Sequence, residues 1–321
     1  MKYIPSINIE SGIHQEFQYI VTPNAKEVLG NIVESFHSGI HSFTIIGNYG
    51  TGKSSFIVGL EKDLENGTSN LVTNRNVFGD VTAFEFMNIV GDYASLSDVL
   101  SAKLDIANFA DSKNIFEALS NKYKECKKNG KFLFIVIDEF GKILEYAANN
   151  NPEKELYFLQ KLAEFVNHPS RNVILLTTLH QNFGSYAYKL NDAQRNEWLK
   201  IKGRYKEIVF VEPVEQLMFL ASEQLNGNLA TMKENAKTNF IQLYSLAKKN
   251  NILSESLSLE TAKKLYPLDP IAASCLTFSI QRYGQNERSL FSFLAATGRG
   301  SLRDYEPTET LTYNLANVYD Y

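Results

Sequence analysis

The fold of this chain is decided by the stretch Gly47-Asn48-Tyr49-Gly50-Thr51-Gly52-Lys53-Ser54. It matches the pattern GxxxxGK[ST] at every fixed position, and this pattern is typical of loops that bind phosphate groups. The run Ser42–Ile46 before it is β-branched and aromatic, which predicts a buried strand. After it, the apolar residues between Lys53 and Leu64 have helical spacing. We therefore predict a strand that turns through glycines into a helix.

This strand, loop and helix predict a binding site for a nucleoside triphosphate. The backbone N–H groups of the loop and the positive end of the helix dipole would point at the same place, which suits a chain of phosphates. Lys53 would reach the β- and γ-phosphates, and the Ser54 hydroxyl would help to hold Mg²⁺. The whole segment from Gly47 to Ser55 would contact the nucleotide. The alternative is a glycine-rich turn that binds no ligand.

The second candidate element is Asp138-Glu139, which ends a predicted strand. Six consecutive apolar residues, Phe132–Ile137, precede it, as in a strand of a parallel sheet that is covered on both faces. The acids would lie at the carboxyl end of the strand, where such sheets bind ligands. Asp138 would hold Mg²⁺ directly or through water, and Glu139 would act as general base for the attacking water. Asp138 follows Lys53 by 85 residues, so the two strands need not be neighbours.

A third buried strand is predicted at Val173–Thr178, and it is followed by Leu179-His180-Gln181-Asn182. A polar residue just after this strand would lie between the carboxylates and the γ-phosphate. His180 is the first candidate for that position and Gln181 is the second. The alternative for His180 is a purely structural histidine.

Composition limits the choice of partners. The chain has 321 residues, of which 44% are hydrophobic, and a formal charge of −4, so no overall basic field favours nucleic acid. Lysines that include Lys122 and Lys131 cluster at the end of a helix predicted at Asp111–Lys128. A solvated helix face explains this cluster, and a local nucleic-acid contact is the alternative. Cys126 and Cys275 are isolated, which argues against a disulfide framework or a zinc site.

The beginning of the sequence lacks a basic segment followed by an apolar one, so we expect no signal peptide. No apolar run approaches the ~18 residues that a membrane-spanning helix needs. Together with the isolated cysteines, these features predict a cytoplasmic protein that does not contact membranes.

The order of elements predicts two domains after an N-terminal extension at residues 1–20. Residues 21–212 are predicted to form an α/β nucleotide-binding domain with a central, mainly parallel sheet flanked by helices. Its last strand is expected at Ile208–Val211, because only helical patterns follow. Residues 213–298 are therefore predicted to form a separate helical domain, and residues 299–321 a tail or a connector to further sequence.

With these residues in place, the chain resembles P-loop ATPases of the AAA+ type, which belong to the ASCE class. The phosphate loop and the Asp138-Glu139 strand carry most of the resemblance. It implies ATP as the nucleotide, a helical lid after the α/β domain, and a homo-oligomer. It also implies roles for three residues. His180 occupies the sensor position, where the family more often has asparagine or threonine. Arg204 corresponds to the arginine finger that enters the neighbouring subunit's site, and Arg288 to the sensor arginine of the lid. The alternative for both arginines is a surface ion pair.

Three segments support a narrower resemblance: Thr177–Phe183, Gln194–Trp198 and Gly284–Phe293. They resemble large bacterial P-loop ATPases encoded in phage-defence islands, similar to the ATPase of BREX systems. This resemblance implies that the chain is the N-terminal ATPase module of a longer protein. It also implies other defence-system proteins as partners.

Two functions from different classes are consistent with these features. The first is Mg²⁺-dependent ATP hydrolysis by an oligomer, joined through the Arg204 interface, that changes the conformation of a larger assembly. The second is a nucleotide-gated signalling switch of the STAND type, which hydrolyses ATP slowly and controls an appended effector. A small-molecule phosphotransferase is less favoured, because Glu139 directly after Asp138 suits water activation. ATP is favoured over GTP by elimination, because the sequence lacks an Asn-Lys-x-Asp motif that reads guanine.

Overall fold

The computed structural model describes residues 7–10, 19–67, 71–106, 112–211, 214–227, 234–283, 290–298, 300–306 and 312–320. The chain divides into two compact units. One unit takes Ile7–Asn48 and Gly52–Val211, and the other takes Met1–Ser6, Tyr49–Thr51 and Glu212–Tyr321. The sheet belongs to the first of these units.

The described strands are β1 (Ser42–Ile46), β2 (Ala83–Val90), β3 (Lys131–Asp138), β4 (Val173–Leu179) and β5 (Lys206–Val209). Within the described residues they form one five-stranded sheet in the order β2-β3-β4-β1-β5. Every neighbouring pair is parallel. The predicted fold class, an α/β fold with a central parallel sheet flanked by helices, is confirmed.

Helices cover both faces of this sheet. Those of the first unit are α1 (Pro23–His37), α2 (Lys53–Asn66), α3 (Leu96–Lys103), α4 (Ser112–Lys128), α5 (Phe140–Asn149), α6 (Pro152–Val166) and α7 (Asp192–Lys202), with 3₁₀ turns at Arg75–Phe78 and Phe183–Lys189. The sequence also predicts a helix that opens at Thr22-Pro23-Asn24. α1 begins there, because the Thr22 hydroxyl accepts a hydrogen bond from the N–H of Ala25 and Pro23 occupies the first turn.

β3 is buried on both faces, as its continuous apolar run predicts. Its even-numbered residues from Phe132 to Val136 join a core that α1 and α2 share. Its odd-numbered residues from Leu133 to Ile137 join the opposite core, which α4, α5 and α6 share. Side chains alternate between the faces of a strand, so a strand between two helical layers must be apolar throughout.

β4 lies between β1 and β3. The strand of the phosphate loop and the strand of Asp138 are therefore not neighbours, which the sequence permits, and the strand between them comes later in the sequence than both. β2, which lies between them in the sequence, is an edge strand beyond β3. Burial explains why β4, and not β2, lies inside the sheet. Every residue of β4 is buried, whereas β2 includes the exposed Ala83 and the half-buried Glu85.

Some boundaries differ from the sequence predictions. The sequence also predicts a strand at residues 81–87. This strand, β2, lies at Ala83–Val90 instead, because its pairing with β3 continues as far as Asp138. β5 begins at Lys206, earlier than predicted, since Lys206 already pairs with β1. α5 follows Glu139 directly and has no counterpart among the predicted elements.

The lysines near the end of α4 are partly paired. Lys122 and Lys131 contact the carboxylate of Glu85 at 3.0 and 2.8 Å. Hydrogen bonds from Lys131 and then Lys122 hold the pKa of the Glu85 carboxyl below its ordinary value. These two cations neutralise a carboxylate on an edge strand, which favours the structural interpretation of the cluster over a nucleic-acid contact.

The second unit is helical in its described parts. Its helices are α8 (Val214–Leu225), α9 (Glu234–Lys249), α10 (Leu259–Lys264), α11 (Pro270–Tyr283), α12 (Leu290–Ala295) and α13 (Leu315–Asp320). They enclose a separate apolar core that contains Phe240, Leu265 and Leu294. Among the residues described in this unit, strand-like pairing is confined to one bridge between Leu268 and Tyr313. In the described part of the chain, no helix combines the length and the apolar character that crossing a membrane requires.

Candidate functional site

Three parallel strands bring the predicted site residues to one edge of the sheet. Gly47 follows β1, Asp138 ends β3 and His180 follows β4. Since these strands are parallel, their carboxyl ends share an edge, where ligands bind in open α/β sheets. The N–H of Gly47 donates to the carbonyl oxygen of Leu179 at 3.0 Å. This hydrogen bond ties the start of the phosphate loop to the end of β4.

The loop enters α2 through glycines with left-handed backbone. Gly50 has φ +73° and Gly52 has φ +91°, where a residue with a side chain is strained. Gly52 is the N-cap residue of α2, and no side chain caps the helix there. An uncapped N-terminus presents N–H groups and positive partial charge, which suit a phosphate. Ser55, the last residue of the predicted segment, is half-buried in the first turn.

Lys53 is the buried cation of the site, with 6% of its surface exposed. Its ammonium donates to the carbonyl oxygens of Gly47 at 2.6 Å and of Asn48 at 2.9 Å. Burial lowers the pKa of Lys53 to about 8, against the opposing effect of the carboxylates of Asp138 and Glu139. The ammonium therefore lies against the loop, where phosphate oxygens would be stronger partners than carbonyl oxygens.

Asp138 receives hydrogen bonds from three elements. Its Oδ2 accepts from the hydroxyl of Ser54, on α2, at 2.7 Å. Its Oδ1 accepts from the hydroxyl of Thr178, on β4, and from the N–H of Glu139 at 3.1 Å. The residue is 6% exposed. The structure thus brings Ser54 and Asp138 together, as a shared cation site requires.

Glu139 has left-handed backbone, with φ +53° and ψ +34°, directly before α5. Its N–H lies 3.0 Å from the hydroxyl oxygen of Thr178. Its carboxylate pairs with Lys142 at 2.5 Å, and the side chains are 38% and 49% exposed. Ion pairs this exposed contribute little to stability. Glu139 can therefore exchange Lys142 for another partner at small cost.

Gly91, which follows β2, packs against the backbone of these two acids. Its N–H donates to the carbonyl oxygen of Asp138 at 2.7 Å. A Cβ added at Gly91 would lie 2.6 Å from the carbonyl oxygen of Glu139. Because that oxygen belongs to the backbone, a side chain at this position would displace the turn that aims both carboxylates.

His180 is half-buried, and its Nδ1 lies 3.5 Å from the ammonium of Lys53. Burial and then the charge of Lys53 lower the pKa of His180 to about 4, while Asp138 acts in the opposite direction. The imidazole is neutral at pH 7, so it would serve the site as a neutral hydrogen-bonding group. Gln181, the second candidate, is exposed.

Arg204 lies at the amino ends of the strands, whereas the phosphate loop lies at their carboxyl ends. Its carbonyl oxygen accepts a hydrogen bond at 2.6 Å from the hydroxyl of Ser42, at the start of β1. Its guanidinium pairs with Glu164 of α6 at 3.3 Å, and it lines a groove of about 400 Å³. The structure therefore does not bring Arg204 to the other candidates of its own chain. Arg288 lies outside the described residues.

Three residues at the carboxyl ends of the strands have no role in the sequence predictions: Thr178, Lys142 and Gly91. The signal for Thr178 is a pair of threonines at the end of an otherwise apolar strand. Lys142 stands three residues after Glu139, which is the spacing of an ion pair on a helix, but α5 itself is not predicted. Gly91 carries no comparable signal, because its role depends on a contact between strands.

The residues at this edge suit Mg²⁺. Ser54 and Asp138 offer a hydroxyl and a carboxylate oxygen 2.7 Å apart, and Mg²⁺ prefers oxygen ligands. Over the described ranges, no group of three or more His, Cys, Asp or Glu residues is arranged to hold a metal ion. A cation here would take its remaining ligands from water and phosphate oxygens, as Mg²⁺ commonly does in nucleotide sites.

Comparisons with known proteins yield distant structural likenesses. No family model and no curated protein matches the chain. Cdc6p from Pyrobaculum aerophilum is 14% identical over 86% of this chain and 67% of its own, with a TM-score of 0.38. PCH-2 from C. elegans is 13% identical over 94% and 68%, with a TM-score of 0.42. ORC2 from Aeropyrum pernix, solved as ADPNP-ADP complexes, is 11% identical over 85% and 68%, with a TM-score of 0.43.

The chain spans about two thirds of the length of each of these three proteins. Their TM-scores are below 0.5. The strand order and the parallel register of the sheet define the fold class.

Proposed function

We propose that this chain is an AAA+-type ATPase module that binds ATP with Mg²⁺ and hydrolyses the nucleotide. One observation carries the proposal: two separate segments, Lys53-Ser54 and Asp138-Glu139, meet at the carboxyl edge of the sheet. Each has the chemistry that one part of nucleotide hydrolysis needs. A glycine-rich turn without a ligand does not explain why a lysine and a carboxylate are buried side by side.

Binding would use the loop and the start of α2. Backbone N–H groups of the segment from Gly47 to Ser55 would contact the phosphates, and the Lys53 ammonium would move from the carbonyl oxygens of Gly47 and Asn48 to the β- and γ-phosphates. Ser54 and Asp138 would hold Mg²⁺. When bound, this ion neutralises charge on the phosphate oxygens.

Hydrolysis would use Glu139 as general base. Its carboxylate would leave Lys142 and take a proton from the water that attacks the γ-phosphate. His180, neutral and beside Lys53, would donate or accept a hydrogen bond near that phosphate. The burial of Lys53 and Asp138 strengthens their electrostatic effect on the transferred group.

A second subunit would complete the site. Arg204 is distant from the phosphate loop of its own chain but partly exposed beside a groove, a position from which it can enter the site of a neighbouring copy. This favours a homo-oligomer joined through the Arg204 surface. By the resemblance to AAA+ proteins, residues 213–298 would serve as the lid and Arg288 as its sensor arginine.

The larger setting that we propose is a bacterial anti-phage defence assembly. Support comes from the three segments that resemble BREX-type ATPases. In this setting ATP hydrolysis would change the conformation of a longer protein and its defence-system partners. Nucleic acid is an alternative partner, which neither the net charge nor the pairing of Lys122 and Lys131 favours.

The second candidate function is a slow nucleotide-gated switch, which the pairing of Glu139 with Lys142 favours. If that pair persists after ATP binds, the base stays occupied and the nucleotide is retained. ATP would then hold the protein in one state and control an appended effector.

Phosphate release from ATP, measured over a range of protein concentrations, tests the proposal. We expect Mg²⁺-dependent multiple turnover whose rate per subunit rises with protein concentration. One ATP retained per chain without turnover would favour the switch. Failure to bind ATP at all would contradict both functions.

The affinity for ATP is expected to fall as the pH rises above about 8. Burial lowers the pKa of Lys53 to about 8, so the ammonium that would face the phosphates is charged below that pH and neutral above it. A bound triphosphate favours the charged form and raises this pKa. At pH 9, binding should therefore take up about one proton per site. Titration calorimetry in buffers of different ionisation enthalpy measures the uptake. Binding at pH 9 without it would show that the Lys53 ammonium does not face the phosphates.

A further inference from the structure

Thr178 is the second-last residue of the buried strand β4, and it is 1% exposed. Its hydroxyl donates to Oδ1 of Asp138. The same hydroxyl oxygen accepts the N–H of Glu139 at 3.0 Å. One buried hydroxyl therefore contacts the side chain of the candidate cation ligand and the backbone of the candidate base.

These contacts give the two oxygens of the Asp138 carboxylate different partners. Oδ1 is engaged by Thr178 and by the N–H of Glu139 at 3.1 Å. Oδ2 is engaged by Ser54 at 2.7 Å. The carboxylate is thereby turned so that Oδ2 and the Ser54 hydroxyl form one pair of oxygens. Partners that fix a metal-binding carboxylate in this way tune the affinity for the metal.

The same hydroxyl supports the unusual backbone of Glu139. A left-handed conformation, here φ +53°, is unfavourable for a residue other than glycine and persists only where the surroundings hold it. The hydrogen bond from the N–H of Glu139 to Thr178 is one contact that stabilises this conformation. The close packing of Gly91 against the same turn is another.

We propose that Thr178 is a positioning residue, which orients Asp138 for Mg²⁺ and holds Glu139 at the start of α5. The inference rests on the proposed function and adds a residue to it. His180 lies two residues further along the same chain segment. Thr178 therefore links the end of β4 to the carboxylate of Asp138 on β3 and to the backbone of Glu139, which follows β3.

The neighbouring Thr177 provides a matched control. Its hydroxyl shares a hydrogen bond with the hydroxyl of Thr44 on β1 at 2.9 Å and donates to the carbonyl oxygen of Phe43 at 3.1 Å. Thr44 and Thr177 are fully buried, and neither has a described hydrogen bond with Asp138. Replacing both partners of such a pair by apolar residues of the same shape is often nearly neutral for stability.

The experiment measures the affinity for the non-hydrolysable analogue AMP-PNP, in EDTA and over a range of Mg²⁺ concentrations. Thr178→Val removes the hydroxyl and keeps the shape. We expect it to raise the Mg²⁺ concentration needed for half-maximal binding by about 10–100-fold, the usual effect of losing a partner of a metal ligand. The affinity in EDTA should not change. Thr178→Ser and the double variant Thr44→Val/Thr177→Val should behave like the wild type.

Several outcomes would overturn the inference. One is an unchanged Mg²⁺ dependence in Thr178→Val. Another is an equal change in the double variant, which would show that the hydroxyls serve only packing. If Thr178→Val does not fold, Thr178→Ala carries the same test, because it removes the hydroxyl without placing a methyl group against Asp138. Wild-type protein that does not bind AMP-PNP would overturn the proposed function, and this inference with it. If the wild type binds AMP-PNP and Thr178→Val needs the same Mg²⁺ concentration for half-maximal binding, this inference alone would be overturned.

Discussion

Arg204→Ala is expected to bind ATP like the wild type and to hydrolyse it about 10³–10⁵-fold more slowly, the range found for arginine fingers. The expectation follows from the position of Arg204. Its backbone carbonyl accepts a hydrogen bond from the hydroxyl of Ser42 at the amino end of β1, and the phosphate loop follows the carboxyl end of the same strand. The five residues of β1 span roughly 16 Å at about 3.3 Å per residue. An arginine side chain does not cover that distance, so Arg204 would act on a neighbour's site.

Mixing two inactive variants tests this sharing of sites. Arg204→Ala subunits keep Glu139, and Glu139→Gln subunits keep Arg204, so a mixed interface can join an intact base to an intact arginine. We expect phosphate release to recover on mixing and to rise with protein concentration. Arg195→Ala serves as the control, because Arg195 is a partly exposed arginine that pairs with Asp192 on its own helix. Full activity of Arg204→Ala at dilutions where the protein is monomeric would exclude the finger and favour the switch.

Glu139→Gln is expected to retain ATP binding and to lose about 10²–10⁴-fold in hydrolysis, the usual contribution of a general base. The amide keeps the size of the carboxylate but cannot take a proton from water. The backbone contacts of Glu139 with Thr178 and Gly91 do not involve the side chain, so the turn should survive the change. The matched control is Glu145→Gln, at an exposed position of α5, the helix that follows Glu139. Hydrolysis within a few-fold of the wild type would show that Glu139 is not the base.

Local sequence patterns predict much of the candidate site at the carboxyl ends of the strands. The phosphate loop, the apolar strand that ends in Asp138 and the strand before His180 each join a regular run to polar residues at its end. Parallel strands then place those ends together, so the proximity of Lys53, Asp138 and His180 follows from the fold class. Their chemical roles stay predictions.

Other features depend on contacts that a local pattern does not contain. The sequence permits the separation of β1 from β3 but does not identify β4 as the strand between them, because strand order is decided by long-range packing. The pairing of Thr178 with Asp138 crosses from one strand to another. The approach of Gly91 to Glu139 likewise requires β2 beside β3. Such residues become recognisable only when the neighbouring strands are known.

The affinity of Lys53→Ala for ATP is the measurement that tests the central claim most directly. Lys53 is the buried side-chain cation of the loop, and its ammonium would supply the charge that faces the β- and γ-phosphates. Titration calorimetry at pH 7 should detect binding by the wild type and by Lys26→Ala, a change at an exposed lysine of α1. Under the same conditions we expect no detectable binding by Lys53→Ala, with a thermal unfolding transition that shows the variant to be folded. Unchanged affinity in folded Lys53→Ala would contradict the assignment of Gly47–Ser54 as a phosphate-binding loop.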